Sequence, residues 1–132
     1  MMMAAEPTPP MLLYVEDEIL IQDMLVSALE KAGFQLLVAD NGTQAMAMLA
    51  EKSDLLHGMI TDVNLGDGPE GWDVAQKARE LVQTLPVIYV SAASDHIWSS
   101  RGVPNSIMIA KPFVAAQVVV AISSLLNGSG QS

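Results

Sequence analysis

The chain has 132 residues, enough for one domain that buries most of the surface its unfolded form exposes. It is 51% hydrophobic with two each of Phe, Trp and Tyr, so the core is aliphatic, and the absence of cysteine excludes a disulfide framework and a thiolate metal site. A net charge of −9 with six basic residues argues against direct nucleic-acid binding; mean hydropathy is positive, yet no apolar run approaches the length of a membrane-spanning helix.

Residues 1–10, with three Met and three Pro, lack the basic and apolar regions of a secretory signal and read as a disordered arm. A first strand is expected over Met11 to Val15. Ile21, Leu25, Ala28 and Ala32 then fall at helical spacing, with Gly33 where a left-handed helix-ending residue belongs. Phe34 to Ala39 reads as a second strand, and Asn41 as the N-cap of a helix turning Ala45, Met46 and Leu49 inward. Leu56 to Asp62 is a short apolar run ending on a carboxylate, a third strand; the loop from Asn64 to Gly71 holds three glycines and a proline and excludes regular structure. Val74, Ala78 and Leu81 mark a third helix, and Pro86 to Val90 a fourth strand ending at Ser91. Residues 92–104 carry Ile97 and Trp98 on one or two helical turns, and place His96 in a loop. Ser106 to Ala110 is a fifth strand. Ala115, Val118, Val119, Ile122 and Leu125 form the stripe of a last helix, and residues 127–132 a flexible polar tail.

Strands alternating with helices through short connections imply right-handed crossovers and an α/β domain over residues 11–126, its parallel sheet covered on both faces. In such sheets ligands sit at the carboxyl ends of the strands. There the first strand delivers Glu16, Asp17 and Glu18, the third Asp62, the fourth Ser91 and the fifth Lys111. Three crowded carboxylates call for a shared cation, and hard oxygen donors suit Mg²⁺. Mg²⁺, an ammonium and a hydroxyl around one carboxylate equip it to accept a phosphoryl group, with Asp62 as nucleophile. Asp62 alone is more often a loop-bracing acid; its match with Asp17 and Lys111 reverses those odds. Glu18 and Asp67 read as solvated acids, and His57, inside the third strand, as a packed or surface side chain. The methionines read mainly as core filler.

At these residues the sequence resembles the receiver domain of two-component response regulators. Glu16-Asp17, Asp62, Ser91-Ala92 and Lys111-Pro112-Phe113 carry the likeness, in order and at family-like spacing. The resemblance implies a flavodoxin-like (βα)5 sandwich of strand order 2-1-3-4-5. It implies that Asp62 accepts phosphate from a histidine kinase or phosphotransfer protein. Asp17, Asp62 and the Asn64 carbonyl would ligate Mg²⁺, Glu16 acting through water; Lys111 and Ser91 would hold phosphoryl oxygens, and the bond before Pro112 would be cis. It also implies a protein that is no enzyme beyond its own phosphorylation and dephosphorylation; the charge balance and the lack of a spanning run or secretory signal point to a cytoplasmic domain that touches neither nucleic acid nor membrane.

Three departures bear on output. Met108 stands where many members carry an aromatic residue that turns inward on activation, Gly66 replaces a frequent proline in a longer loop, and the span from Ser91 to Lys111 is short enough to stunt the fourth helix. The switch is therefore expected to involve Met108 and the face around Trp98, itself either a packing anchor or an interface residue. Two rival readings fit these residues less well. A haloacid-dehalogenase-like phosphohydrolase needs a second acid where Asn64 stands; a pseudo-receiver interaction module would lack the acceptor or the lysine. The expectation is a single-domain regulator, the chain stopping after the fifth helix, that binds an unknown downstream protein or passes phosphate on.

Overall fold

A computed structural model describes residues 8–92 and 95–128. Strands β1 (Met11–Val15), β2 (Gln35–Ala39), β3 (Gly58–Asp62), β4 (Val87–Ser91) and β5 (Ile107–Ala110) alternate with helices α1 (Ile19–Lys31), α2 (Gly42–Lys52), α3 (Gly71–Leu81), α4 (Asp95–Arg101) and α5 (Ala115–Gly128). All strand pairs are parallel, in the order β2-β1-β3-β4-β5. This is the flavodoxin-like sheet, with its switch point between β1 and β3.

Every residue of β3 and β4 is buried, which accounts for their mainly apolar character up to the polar residues at their ends. Alternation along the strands divides the core in two. Leu13, Val15, Met59, Val87 and Tyr89 pack with Ala45 and Leu49 of α2 and Trp72, Val74 and Ala78 of α3. On the opposite face Leu12, Tyr14, Ile60, Ile88 and Ile109 pack with Leu25 and Leu29 of α1 and Val118 and Ile122 of α5. Helix ends follow local chemistry. The Asn41 side chain accepts from Gln44 N at 2.8 Å to start α2, and Gly33, at φ +99°, ends the α1 turn. Asp73 Oδ2 accepts from Glu70 N at 3.0 Å at the start of α3.

The element boundaries differ from expectation in instructive places. Pro86 has no N–H and lies before β4, although its carbonyl accepts from Met59 N at 2.9 Å. β2 begins at Gln35 and β5 at Ile107, each one residue late. His57 precedes β3 and is exposed; its Nδ1 accepts from Met11 N at 3.0 Å, bracing the start of β1. Ala32 falls past the end of α1 and is exposed, and Leu81, last in α3, is 44% exposed instead of turned inward. α4 is one continuous helix that takes His96 out of the expected loop. Residues 1–7 of the expected arm and 129–132 of the tail lie outside the described residues. Pro10 is tied down by its carbonyl, which accepts from Gln35 N at 2.8 Å, and Asn127 and Gly128 belong to α5.

Candidate functional site

Four strands end together at one edge of the sheet. Register sets Val15 beside both Ala39 and Thr61, Asp62 beside Val90, and Ser91 beside Ala110. The ladder reaches one residue further at each side: Glu16 N donates to Ala39 O at 3.1 Å and Lys111 N to Ser91 O at 2.9 Å. Glu16, Asp17, Asp62, Ser91 and Lys111, far apart in sequence, therefore converge on one rim. Glu16 is 1% exposed, Asp62 4% and Ser91 0%, so the rim holds charge largely out of water. Asp17 stands on the exposed side.

Carboxylate oxygens of Glu16, Asp17 and Asp62 lie within 4.8 Å of one another. Lys111 Nζ donates to Asp62 Oδ2 at 2.8 Å and lies 3.6 Å from Glu18 Oε1. Asn64 N donates to the other Asp62 oxygen, Oδ1, at 3.2 Å, so Asn64 meets the site through its backbone. Glu16 Oε2 accepts from Glu18 N at 3.2 Å. The Lys111-Pro112 bond is cis. Gly71, first residue of α3, lies directly on the Asp62 carbonyl and 2.9 Å, measured from an added Cβ, from Val63 Cα, so no side chain fits there. Glu18, read as a solvated acid, is a neighbour of Lys111, though at 62% exposure the pair is weakly held. Gln22 was missed altogether: its side-chain amide donates to Glu16 O at 3.0 Å and Asp40 Oδ1 at 2.9 Å, bracing the acidic turn. An amide closing a first turn that is otherwise Ile19-Leu20-Ile21 was the available signal.

The charges do not balance. Burial, with the neighbouring Asp62 carboxylate, pushes the Glu16 carboxyl up to about 7. Burial works against the Lys111 ammonium, but its hydrogen bond and charge contact with Asp62, aided by Glu16 and Glu18, outweigh that and hold its pKa above the usual range. Burial and the same two acids push the Tyr14 phenol up. One ammonium does not neutralise three clustered carboxylates. The donor set, all hard oxygens with one exposed member, fits a divalent cation of the Mg²⁺ type.

Beyond Ser91 the residues of the expected switch face are bound into a network. Met108 is half-buried and pairs across the ladder with Tyr89. Tyr89 is fully buried, and its hydroxyl accepts from Val103 N at 3.0 Å. Its ring lies 4.6 Å, centroid to centroid, from that of Trp72. Trp98 is a packing anchor: its Nε1 donates to Ser106 Oγ at 2.9 Å, and that hydroxyl donates to Val103 O at 2.6 Å. Sequence reasoning passed over Tyr89 as strand core; a tyrosine in an aliphatic strand was the sign that its hydroxyl needed a partner. No helix among the described residues is long and apolar enough to cross a membrane.

Known proteins share this fold. The family model described as "Response regulator receiver domain" matches residues 12–123. The phosphate regulon transcriptional regulatory protein PhoB of Pseudomonas aeruginosa is 32% identical over 124 residues, covering 90% of this chain and 52% of that protein. The chain thus spans about half the length of the curated relatives it matches. The crystal structure of a response regulator receiver protein from Sinorhizobium medicae is 38% identical with a TM-score of 0.85, covering 92% of this chain and 97% of that one. The chemotaxis response regulator CheY4 of Vibrio cholerae shares the fold at 20% identity and a TM-score of 0.77, covering 89% and 99%. The chain belongs to the response regulator receiver domain family of two-component systems.

Proposed function

We propose that this receiver is a working phosphoryl acceptor: Asp62 takes a phosphoryl group from a phosphohistidine on a histidine kinase or phosphotransfer protein, in a Mg²⁺-dependent reaction. An Asp62 oxygen attacks phosphorus, the P–N bond breaks, and its electron pair returns to the imidazole ring. The observation that carries this reading is Lys111 Nζ, 2.8 Å from a buried Asp62 in a crowded acidic rim. A lone structural aspartate would need neither the ammonium nor the neighbouring acids. Asp17, Asp62 and the Asn64 carbonyl are the residues that would hold Mg²⁺, with Glu16 acting through water. When bound, the cation supplies charge neutralisation for the phosphoryl oxygens. Lys111 then holds one phosphoryl oxygen and the Ser91 hydroxyl another, both from the adjoining ends of β5 and β4. The protein is otherwise no enzyme, acts in the cytoplasm beside its kinase, and passes its state to a downstream protein or its phosphate to a further carrier.

Acetyl phosphate with Mg²⁺ should add one phosphoryl group, read by intact mass, that is lost in acid and in base. Asp62→Asn should not be labelled; full labelling of that variant would overturn the assignment. Lys111→Ala should retain Mg²⁺ binding but lose the conformational response to phosphate.

A further inference from the structure

Among the described residues, the Tyr14 hydroxyl is the one buried side-chain polar atom without a hydrogen-bond partner. Its side chain is 1% exposed. A buried donor with no acceptor is destabilising, and native structures seldom keep one without a use. Tyr14 sits on β1 two residues before Glu16, and pairs with Ile60, two residues before Asp62. Tyr14 and Ile60 lie on the α1/α5 side of the sheet, strand alternation sets Asp62 on that side, and Glu16 follows directly on the end of β1. Strand side chains lean along the strand, and two residues rise roughly 6–7 Å, a span that a phenol side chain covers. The hydroxyl therefore comes up beneath the acidic rim, where the charges of Glu16 and Asp62 are both felt.

The two carboxylates differ in how they are already engaged. Both oxygens of Asp62 accept hydrogen bonds, from Lys111 Nζ and from Asn64 N. Glu16 Oε2 accepts from Glu18 N, and the Glu16 side chain otherwise meets Asp62 through a shared proton, a contact that a cation held between the two carboxylates would displace. We propose that Tyr14 is a positioning residue of the cation site: its hydroxyl donates to the Glu16 carboxylate when a divalent cation occupies the acidic cluster, fixing that carboxylate from below. Donors behind a ligand orient it and raise its affinity for the metal, commonly by one or two powers of ten; Glu16 reaches the cation through water, so the lower end of that range applies. This rests on the reading that the cluster takes Mg²⁺.

The test compares Tyr14→Phe with the unaltered chain. Mg²⁺ is titrated by calorimetry, and melting temperature is measured in chelator. The variant is expected to melt at the same or a higher temperature without metal, and to bind Mg²⁺ about tenfold more weakly. Mg²⁺ affinity within twofold of the unaltered chain would overturn the proposal, as would a lower metal-free melting temperature, which would mean that the hydroxyl is already satisfied. Glu16→Gln supplies the second arm: the Tyr14→Phe effect on affinity should shrink in that background, and an undiminished effect would remove Glu16 as the partner and the proposal with it. If the unaltered chain takes no Mg²⁺, the reading of the cluster itself fails. If it takes Mg²⁺ and Tyr14→Phe takes it equally well, only the role of Tyr14 fails.

Discussion

Val103 N–H donates to the Tyr89 hydroxyl across 3.0 Å, tying the turn after α4 to β4 two residues from Ser91. Tyr89 faces Met108 across the ladder, so the buried aromatic of this pair stands on β4 while the β5 position is a thioether. Methionine fills space but has low-cost alternative rotamers. The fixed element is the tyrosine.

Tyr89→Phe keeps the ring and strands the Val103 N–H. The expected cost is about 1–3 kcal/mol, the penalty for leaving a buried donor unsatisfied. Hydrogen exchange should speed up at Val103 while amides of β1 and β3 keep their protection. Unaltered exchange at Val103 would show that the hydroxyl does not hold this turn.

Glu16 makes metal-free stability depend on pH. Its folded pKa of about 7 lies above the ordinary 4.5, so the folded chain holds a proton that the unfolded chain gives up. The stabilisation is fully present below 4.5 and is lost as pH rises through 7. In chelator, then, the melting temperature should fall between pH 5 and 8 through this group. Glu16→Gln should flatten the decline and be more stable at pH 8 by about 1–2 kcal/mol, discounted from the full shift because solvent reaches the cluster from the Asp17 side. Saturating Mg²⁺ should erase the difference in slope. A Glu16→Gln melting curve that tracks the parent at every pH would contradict it.

What the sequence made legible and what it hid divide along physical lines. Elements set by periodicity were readable, because a parallel sheet covered on both faces demands long apolar runs and their helices a stripe. Strand order was not, since hydrophobic pattern is indifferent to which buried strand lies beside which; resemblance supplied it. Asp17, Asp62, Ser91 and Lys111 were readable as strand-end residues, and register brings them together. Gln22, Tyr14 and Tyr89 were not. Each matters through a hydrogen bond, made or missing, that depends on side-chain reach across the fold. Leu81 misled because a helical apolar position at the last turn need not face the core.

Gly71 tests how closely α3 is set against the acceptor. A Cβ there would meet the Asp62 carbonyl and approach Val63 Cα at 2.9 Å, both backbone atoms that cannot swing aside. Gly71→Ala should destabilise the chain by about 1–3 kcal/mol, as overpacking does, and should slow labelling of Asp62 because the strand end moves. A variant that melts and labels like the parent would show that α3 can shift away from β3 without consequence.

The last prediction concerns how occupancy at Asp62 is felt at α4. Ser91 ends β4 and is fully buried, while its carbonyl holds Lys111 N. Two residues earlier on the strand Tyr89 holds Val103, whose carbonyl accepts from Ser106 Oγ, which in turn accepts from Trp98 Nε1. A displacement of the Ser91 end of β4 toward a phosphoryl oxygen is therefore conducted through hydrogen bonds to the Trp98 indole. Beryllofluoride with Mg²⁺, standing in for the phosphoryl group, should change Trp98 fluorescence when Trp72, buried against Tyr89, is replaced by Phe. Ser91→Ala removes the hydroxyl that would reach the phosphoryl oxygen, and Tyr89→Phe removes the first link to Val103. At saturating beryllofluoride, each should abolish most of the change. A full Trp98 response in both variants would mean that the signal leaves the acceptor by the loop from Asn64 to Gly71 instead, and amide shifts confined to that loop would identify the route.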